Sequence, residues 1–352
     1  MAQIKQIDKA ADNYQNNSAI MIHLKSVPVA LLRHFMVVIA SFVFGLTISC
    51  SSPSEREKAV DAMDLSLELE RFDLAFAEAI PEDLDQLKRR YPLFFPTQYP
   101  DSIWVAKIKD TIQIELNEAV KNFFPENANI EDQCAALFKQ IKYDFPNFVT
   151  PKVATTTSDV DYKTKVIANQ AWLILMLDNY LGQDHRFYEG LPRFVAKNLR
   201  PEMLFSDVAT AFGRKFVATP KDRSFLAQMI YYGKLLYLKD LWLPEMPQED
   251  KIGYTPDELA WAEDNEYFIW QYMLTQEYLY STNSRLKNRF IDPAPYSKFN
   301  LDLDHETPGM IGQWLGWQIV RSYTRHNKIS VEDLMNLPAQ ELFNASHYKP
   351  SK

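Results

Sequence analysis

Two histidines four residues apart on a helix, with a glutamate beside the first, can grip one zinc ion and activate its water, because residues i and i+4 share a face. The nearest approach to that spacing here is His305-Glu306-Thr307-Pro308-Gly309, with glycine where the second histidine should stand. Thr307-Pro308 reads as an N-cap and a first helical residue, which puts His305 and Glu306 ahead of the helix and out of such a grip. His185, His326 and His347 are scattered. The alternating carboxylates Asp302, Asp304 and Glu306 are hard oxygen ligands of the kind calcium takes, but the run lacks the glycine and distal glutamate of an EF-hand and reads as a solvated loop. No Gly-x-Ser-x-Gly elbow, phosphate-binding glycine loop or Gly-x-Gly-x-x-Gly occurs, which removes the commonest hydrolase, kinase and dinucleotide readings. Neither a metal nor a cofactor is expected, and the abundant carboxylates include no pair singled out by spacing.

The cysteines carry a clearer signal. FMVVIASFVFGLTI, residues 35–48, is an uncharged run of fourteen residues behind Lys25, Arg33 and His34 and ahead of Ser49-Cys50-Ser51-Ser52. A hydrocarbon core needs about twenty residues to span, so the run reads as a secretory signal and not a retained span. Cysteine at the cut makes it a lipoprotein signal, with Cys50 as the lipid-attachment residue. Its lipobox, Thr47-Ile48-Ser49-Cys50, lacks the leucine usual at the first position. Residues 1–20 are polar and long for a leader, so Met21 is an alternative start. The expected organisation is a signal segment over 1–49, a lipidated polar tether over 50–58 and a single domain over 59–352. Cys134 is left as a small buried residue.

Net charge is −8 over the chain, and residues 1–49 hold four Lys/Arg against Asp8 and Asp12, so the part from Cys50 onward carries −8 − 2 = −10. Such a surface repels phosphate backbones and anionic lipid, which argues against nucleic acid as a partner.

Leu65, Leu69, Phe72 and Phe76 recur at helical spacing and predict a helix over 59–79 ended by Pro81. Further helices are expected over 82–90, 104–124, 130–141, 222–240, 255–282, 308–326 and 330–343. Strand character is confined to the β-branched or continuously apolar stretches 152–158, 165–169 and 171–177. The fold class is α+β, predominantly helical with one small central sheet.

Three groups of residues stand out as a candidate cleft or partner surface. Gly312 and Gly316 lie four apart beside Trp314 and Trp317, so another backbone can approach that helix face closely. Leu226, Met229, Ile230, Gly233 and Tyr237 form an apolar stripe of the kind that is ordinarily core. The segment with Trp261, Asn265, Glu266, Trp270, Tyr278 and Tyr280 is unusually aromatic for a solvent-facing helix, and core packing together with a partner groove would account for it.

Taken together these residues resemble the gliding-motility lipoprotein B family, GldB. The resemblance runs through Arg71-Phe72-Asp73, Leu87-Lys88-x-x-Tyr91-Pro92, the 177–182 string LDNYLG, the 229–234 string MIYYGK, Gly253-Tyr254-Thr255 with Trp261 and Asn265-Glu266, Ser297-Lys298-Phe299, Pro308-Gly309, the 316–320 string GWQIV and Tyr348-Lys349-Pro350. It implies a lipoprotein of the cell envelope, on the outer membrane, required for surface gliding and for the shared apparatus that exports adhesins. Its partners would be other motility or secretion-apparatus proteins. The family is also distantly similar to predicted zinc proteases, which implies a degenerate zincin-like domain in which Met229-Ile230-Tyr231-Tyr232-Gly233 stands in place of His-Glu-x-x-His. The expected function is therefore non-catalytic protein binding. The alternative is an envelope hydrolase, peptidase-like, using carboxylates such as Asp178 and Glu266.

Overall fold

Aliphatic stretches too short for helices build the sheet, and helices wrap it. The computed structural model describes residues 54–126, 128–302 and 304–350, so the signal segment and Cys50 lie outside it. Residues from Glu55 onward form one compact unit. Strands β1 (Leu69–Arg71), β2 (Lys152–Thr156), β3 (Val166–Ala168) and β4 (Trp172–Met176) lie in the order β1-β2-β4-β3. The pairs β1–β2 and β2–β4 are parallel and β3 returns antiparallel to β4, with Val153 opposite Leu69 on one side and Leu173 on the other. Val153, Ala154, Leu173 and Leu175 are wholly buried, as inner strands covered on both faces should be.

Strand β1 corrects the helix expected over 59–79. The chain there forms two short helices, Glu55–Asp61 and Phe72–Ala77, with an extended segment between them. Helical spacing of four apolar residues cannot register a strand partner elsewhere in the chain, and that partner decides the conformation. The buried carboxylate of Asp73 then fastens the junction by accepting from the Arg71 guanidinium at 2.8 and 2.9 Å and from the Thr155 hydroxyl. The expected tether also ends earlier than residue 58. Arg56 makes a bidentate pair with the buried Asp144 at 2.6 and 2.9 Å, and Trp242 Nε1 donates to the same carboxylate at 2.9 Å.

Nine helices of eight residues or more stand among the described residues: α1 (Asp101–Lys109), α2 (Thr111–Phe123), α3 (Ile130–Asp144), α4 (Leu204–Phe216), α5 (Phe225–Trp242), α6 (Pro256–Asp264), α7 (Glu266–Thr275), α8 (Ile311–His326) and α9 (Ala339–Ser346). The helix expected over 104–124 is two, because Asp110 adopts extended backbone and caps α2 through Ile112 N and Gln113 N. The one expected over 330–343 divides into Val331–Asn336 and α9 around Pro338. Helix α4 has no counterpart in the sequence reading, although Leu204, Val208 and Phe212 mark its buried face. Helix α8 starts at Ile311, not at Pro308. Thr307 does not cap it, because its hydroxyl is engaged with the backbone of Ser297 and Asp304, and Met310 turns the chain through left-handed φ 58°.

Helices α5 and α8 cross with backbone against backbone. A Cβ built on Gly316 falls 1.8 Å from the Met229 carbonyl oxygen, and one on Gly233 falls 2.2 Å from the Gly316 carbonyl carbon. At the far end of α5, Asp240 receives Trp317 Nε1 at 2.8 Å and the Arg321 guanidinium at 2.7 and 2.8 Å, and that guanidinium lies 3.7 Å from the Trp317 ring centre. Alanine within a helix gains about 1 kcal/mol over glycine in propensity, so an uncrowded face would make the substitution stabilising. Overpacking a fitted crossing costs roughly 1–3 kcal/mol or more, and here the obstruction is backbone. Gly316→Ala is expected to lower the urea unfolding midpoint by a net loss of about 1–3 kcal/mol, with Gly233→Ala alike. A midpoint at or above wild type for either variant would show that the crossing is looser than described.

Candidate functional site

The break between α6 and α7 opens a groove. Thr255 starts α6 with a reciprocal cap, its hydroxyl accepting from Glu258 N at 3.2 Å while Glu258 Oε2 accepts from Thr255 N at 2.7 Å, and Pro256 takes the first helical position. At Asn265 the backbone leaves the helix (φ −105°, ψ 7°), and its side-chain amide satisfies the Trp261 carbonyl at 2.8 Å. The single helix expected over 255–282 is thus two helices ending at Thr275, and the bend between them exposes the aromatic face.

Opposite the bend lies a loop built on Asp304. Its carboxylate accepts from Phe299 N at 3.0 Å, Asn300 N at 2.8 Å and Leu301 N at 3.2 Å, with Asn300 at φ 64°. Tyr272 fastens that loop to α7 by donating to the Phe299 carbonyl at 2.6 Å, with its ring edge-on to the Phe299 ring at 5.0 Å. Between the two sides is a mostly apolar hollow of about 210 Å³ lined by Trp261, Asn265, Phe268, Tyr272, Phe299 and Leu301, among others. Phe268 is 69% exposed and Leu301 60%. Exposed Glu263, Asp264 and Asp302 adjoin these residues in sequence, against the one exposed Lys298.

The expected site residues fall in four places. Trp261 and Asn265 line the groove. Glu266 starts α7 beside it and accepts from the Tyr348 hydroxyl at 2.7 Å, which holds the C-terminal segment on α7; burial and this carboxylate raise the Tyr348 pKa. Asp178 is wholly buried behind β4 and accepts from Ser158 N at 3.0 Å and Val160 N at 2.7 Å, which folds the 158–160 turn with Asp159 and Val160 at positive φ. Burial raises its pKa against the pull of those bonds. Asp178 is thus occupied in holding that turn, while Glu266 is half-buried with one oxygen on the Tyr348 hydroxyl. Met229, Gly233, Gly312, Gly316 and Trp317 all belong to packed helix contacts, with Met229 and Trp317 wholly buried, and so offer no open cleft. Cys50 lies outside the described residues, while Cys134 is wholly buried and its thiol is pushed up to about 12.

Phe268, Tyr272 and Leu301 complete the groove without having stood out from sequence, together with Phe299, which the sequence marked only within the family resemblance. Phe268 carried a signal, being a large apolar residue three after Asn265 and close to Glu263 and Asp264. Leu301 sits beside the acidic run that reads as solvated loop. A larger cavity, about 920 Å³, lies elsewhere, between Gly182, His185, Arg200, Glu202 and Asp250, and mixes charges of both signs. The Arg200–Asp250 ion pair occupies its wall, and His185 accepts from Phe187 N at 3.3 Å with a pKa lowered by burial and then by Arg186. Among the described residues no group of three His, Cys, Asp or Glu is placed to hold a metal ion, and no helix is long and apolar enough to cross a membrane.

Two buried lysines on α5 set the response to pH. Lys234 donates to the carbonyls of Met335 at 3.1 Å and Leu337 at 2.7 Å, and burial lowers it to about 8. Burial likewise lowers Lys239 to about 8. Because the folded values lie below the unfolded value of 10.5, each charged lysine costs stability below pH 8, and that cost is relieved as pH rises. Cys134 and Tyr348 have raised values and act in the opposite sense, from about pH 9 and 10 upward. Unfolding free energy from urea titrations is therefore expected to rise by about 1–2 kcal/mol between pH 8 and 9. A flat or falling profile over that unit would show that the two lysines are not held charged and buried.

Compared with known families, the chain matches a model described as gliding motility protein GldB over residues 53–350, and the short designation of that model marks a lipoprotein family. No curated protein and no solved structure matches the chain.

Proposed function

Since the chain belongs to the GldB family of gliding motility proteins, we propose that it is a lipid-anchored, non-catalytic component of the gliding apparatus that works by holding another envelope protein in the groove at the α6–α7 bend. The observation that carries this reading is the exposure of Phe268 and Leu301 on either side of an apolar hollow whose walls are fixed by hydrogen bonds. An apolar side chain left exposed beside a preformed hollow gains burial when a partner fills it, at roughly 25 cal/mol per Å². The exposed carboxylates nearby suit a partner segment with one large apolar residue flanked by Lys or Arg.

Attachment through lipid on Cys50, in the outer membrane, belongs to the same proposal. Four residues separate Cys50 from Glu55, the first helical residue among those described, so over these five steps the anchor lies at most about 18 Å of chain from the folded unit. Partners would then be envelope proteins within reach of the bilayer, including those of the adhesin-export apparatus. A zincin-like ancestry for α5 also belongs to the proposal: Met229 and Gly233 would stand where two metal-binding histidines stood, and the α8 crossing would have closed the former cleft.

In a gliding bacterium lacking its own family member, Phe268→Glu is expected to give a normal amount of envelope protein, stability within about 0.5 kcal/mol of wild type as for an exposed position, and loss of spreading on agar. Full spreading by a doubly substituted Phe268→Glu, Leu301→Glu chain would remove the groove from the function. Separately, Cys50→Ser is expected to leave the product unlabelled by radioactive palmitate and absent from the membrane fraction, because serine cannot take the thioether lipid. Label retained on that variant would overturn the lipoprotein reading.

A further inference from the structure

Away from the groove, a cavity of about 190 Å³ is lined by four lysines, Lys165, Lys197, Lys239 and Lys251. Three of them form ion pairs within the protein. Lys165 pairs with Asp207, Lys197 with Glu258, and Lys251 at 3.3 Å with Asp240, a carboxylate it shares with Arg321. Lys239 is different. It is buried to nine-tenths, and among the described residues it has no carboxylate within ion-pair distance. Its ammonium donates to Ser206 Oγ at 2.8 Å and to the Lys251 carbonyl at 2.6 Å, two acceptors for three N–H groups. Ser206 is fully buried and gives its own hydroxyl proton to the Asp250 carbonyl at 3.1 Å. The rest of the wall combines apolar Phe194, Met203, Ile252, Pro293 and Met310 with polar Asn198, Asp207 and Tyr254.

An unpaired buried ammonium is costly, and an anion beside it would relieve the cost. With the other three lysines in ion pairs, Lys239 is the one lysine of this cavity without a carboxylate within ion-pair distance among the described residues. The volume exceeds several waters, each of which takes about 30 Å³ in the liquid, and water would pair poorly with the apolar side chains of the wall. We propose that this cavity binds a small organic monocarboxylate, with its carboxylate on Lys239 Nζ and its apolar part against Phe194, Met203 and Met310. A neutral molecule would leave the ammonium unpaired, and inorganic phosphate would leave the apolar side chains of the wall uncovered.

The state of Lys239 links occupancy to pH. Burial lowers its pKa to about 8, with Asp207 opposing and Lys165, Arg214 and Lys251 reinforcing the fall. Only the protonated amine attracts the anion, so affinity is constant below that value and declines above it.

The test is calorimetric titration of the full mature protein in detergent with sodium butyrate, butyramide, N-acetylalanine and inorganic phosphate. Butyrate is expected to bind once per chain, with Kd constant from pH 6.5 to 7.5 and weakening about tenfold per unit well above pH 8. Butyramide should not bind, and Lys239→Met should remove butyrate binding while keeping or raising the melting temperature. Tighter binding of N-acetylalanine than of butyrate would identify a peptide C-terminus as the source of the carboxylate, and the reverse a free acid. If Lys239→Met does not fold, the pH profile and the butyramide control on wild type decide alone. Equal binding of butyramide, pH-independent binding, preference for phosphate, or no heat with any of the four compounds would each overturn the proposal.

Discussion

Everything in the second half of the chain is arranged around one contact, the approach of Gly316 to the Met229 carbonyl where α5 and α8 cross. Two helices can come this close only if neither side presents a Cβ, and Gly233 supplies the matching gap. Fixing that contact fixes the start of α8, and the loops before it inherit the constraint. Gly309 packs so that a Cβ would lie 2.2 Å from the Ala294 carbonyl oxygen, and Tyr254 donates to the Gly309 carbonyl at 2.6 Å. Ser297 donates to the Pro308 carbonyl at 2.7 Å. Through Ser297 the frame reaches Phe299 and Leu301 in the groove, and through α5 it reaches Lys239. The apolar groove and the lysine-lined cavity are therefore carried by one rigid crossing.

That arrangement explains why the residues marking the family resemblance mostly hold the fold together. Asp73 joins β1 to β2, and Asp178 folds the turn at 158–160. Gly253 ends the short helix Gln248–Ile252 at φ 80° with its carbonyl held by Asn198, a conformation that L side chains rarely adopt. Lys234 satisfies the carbonyls that close the helix Val331–Asn336, and Tyr348 ties the C-terminal segment to Glu266. The groove and the lysine-lined cavity lie between these fastenings. Family membership therefore locates the scaffold more directly than it locates the site.

Sequence showed the crossing because glycine spacing four apart is a steric statement that needs no knowledge of the neighbour. It marked Trp261 and Asn265 as part of an unusually aromatic segment, and both line the hollow. It did not show the bend at Asn265, since both helices share one periodicity and only the Asn265 amide on the Trp261 carbonyl marks the break. Strand β1 was hidden because Leu69 fits a helix equally well until Val153 is beside it. Lys239 was passed over because lysine is ordinarily a surface residue, although its place three residues before Trp242 and three or four after Leu236 and Leu235 puts it on a buried face. Local spacing was enough for most of the long helices but was passed over in α4, while β2 to β4 were legible from their β-branched or continuously apolar runs.

The central claim is that the chain acts by binding at the α6–α7 bend, with α5 closed against α8. Site-specific photo-crosslinking in gliding cells tests it most directly, with the reactive residue placed at Phe268 and, as a control outside the groove, at the equally exposed Val149. The account predicts that the chain crosslinks a discrete envelope protein from position 268 and none from position 149. A crosslinked partner from 149 with nothing from 268 would contradict it and place the binding surface elsewhere on the molecule.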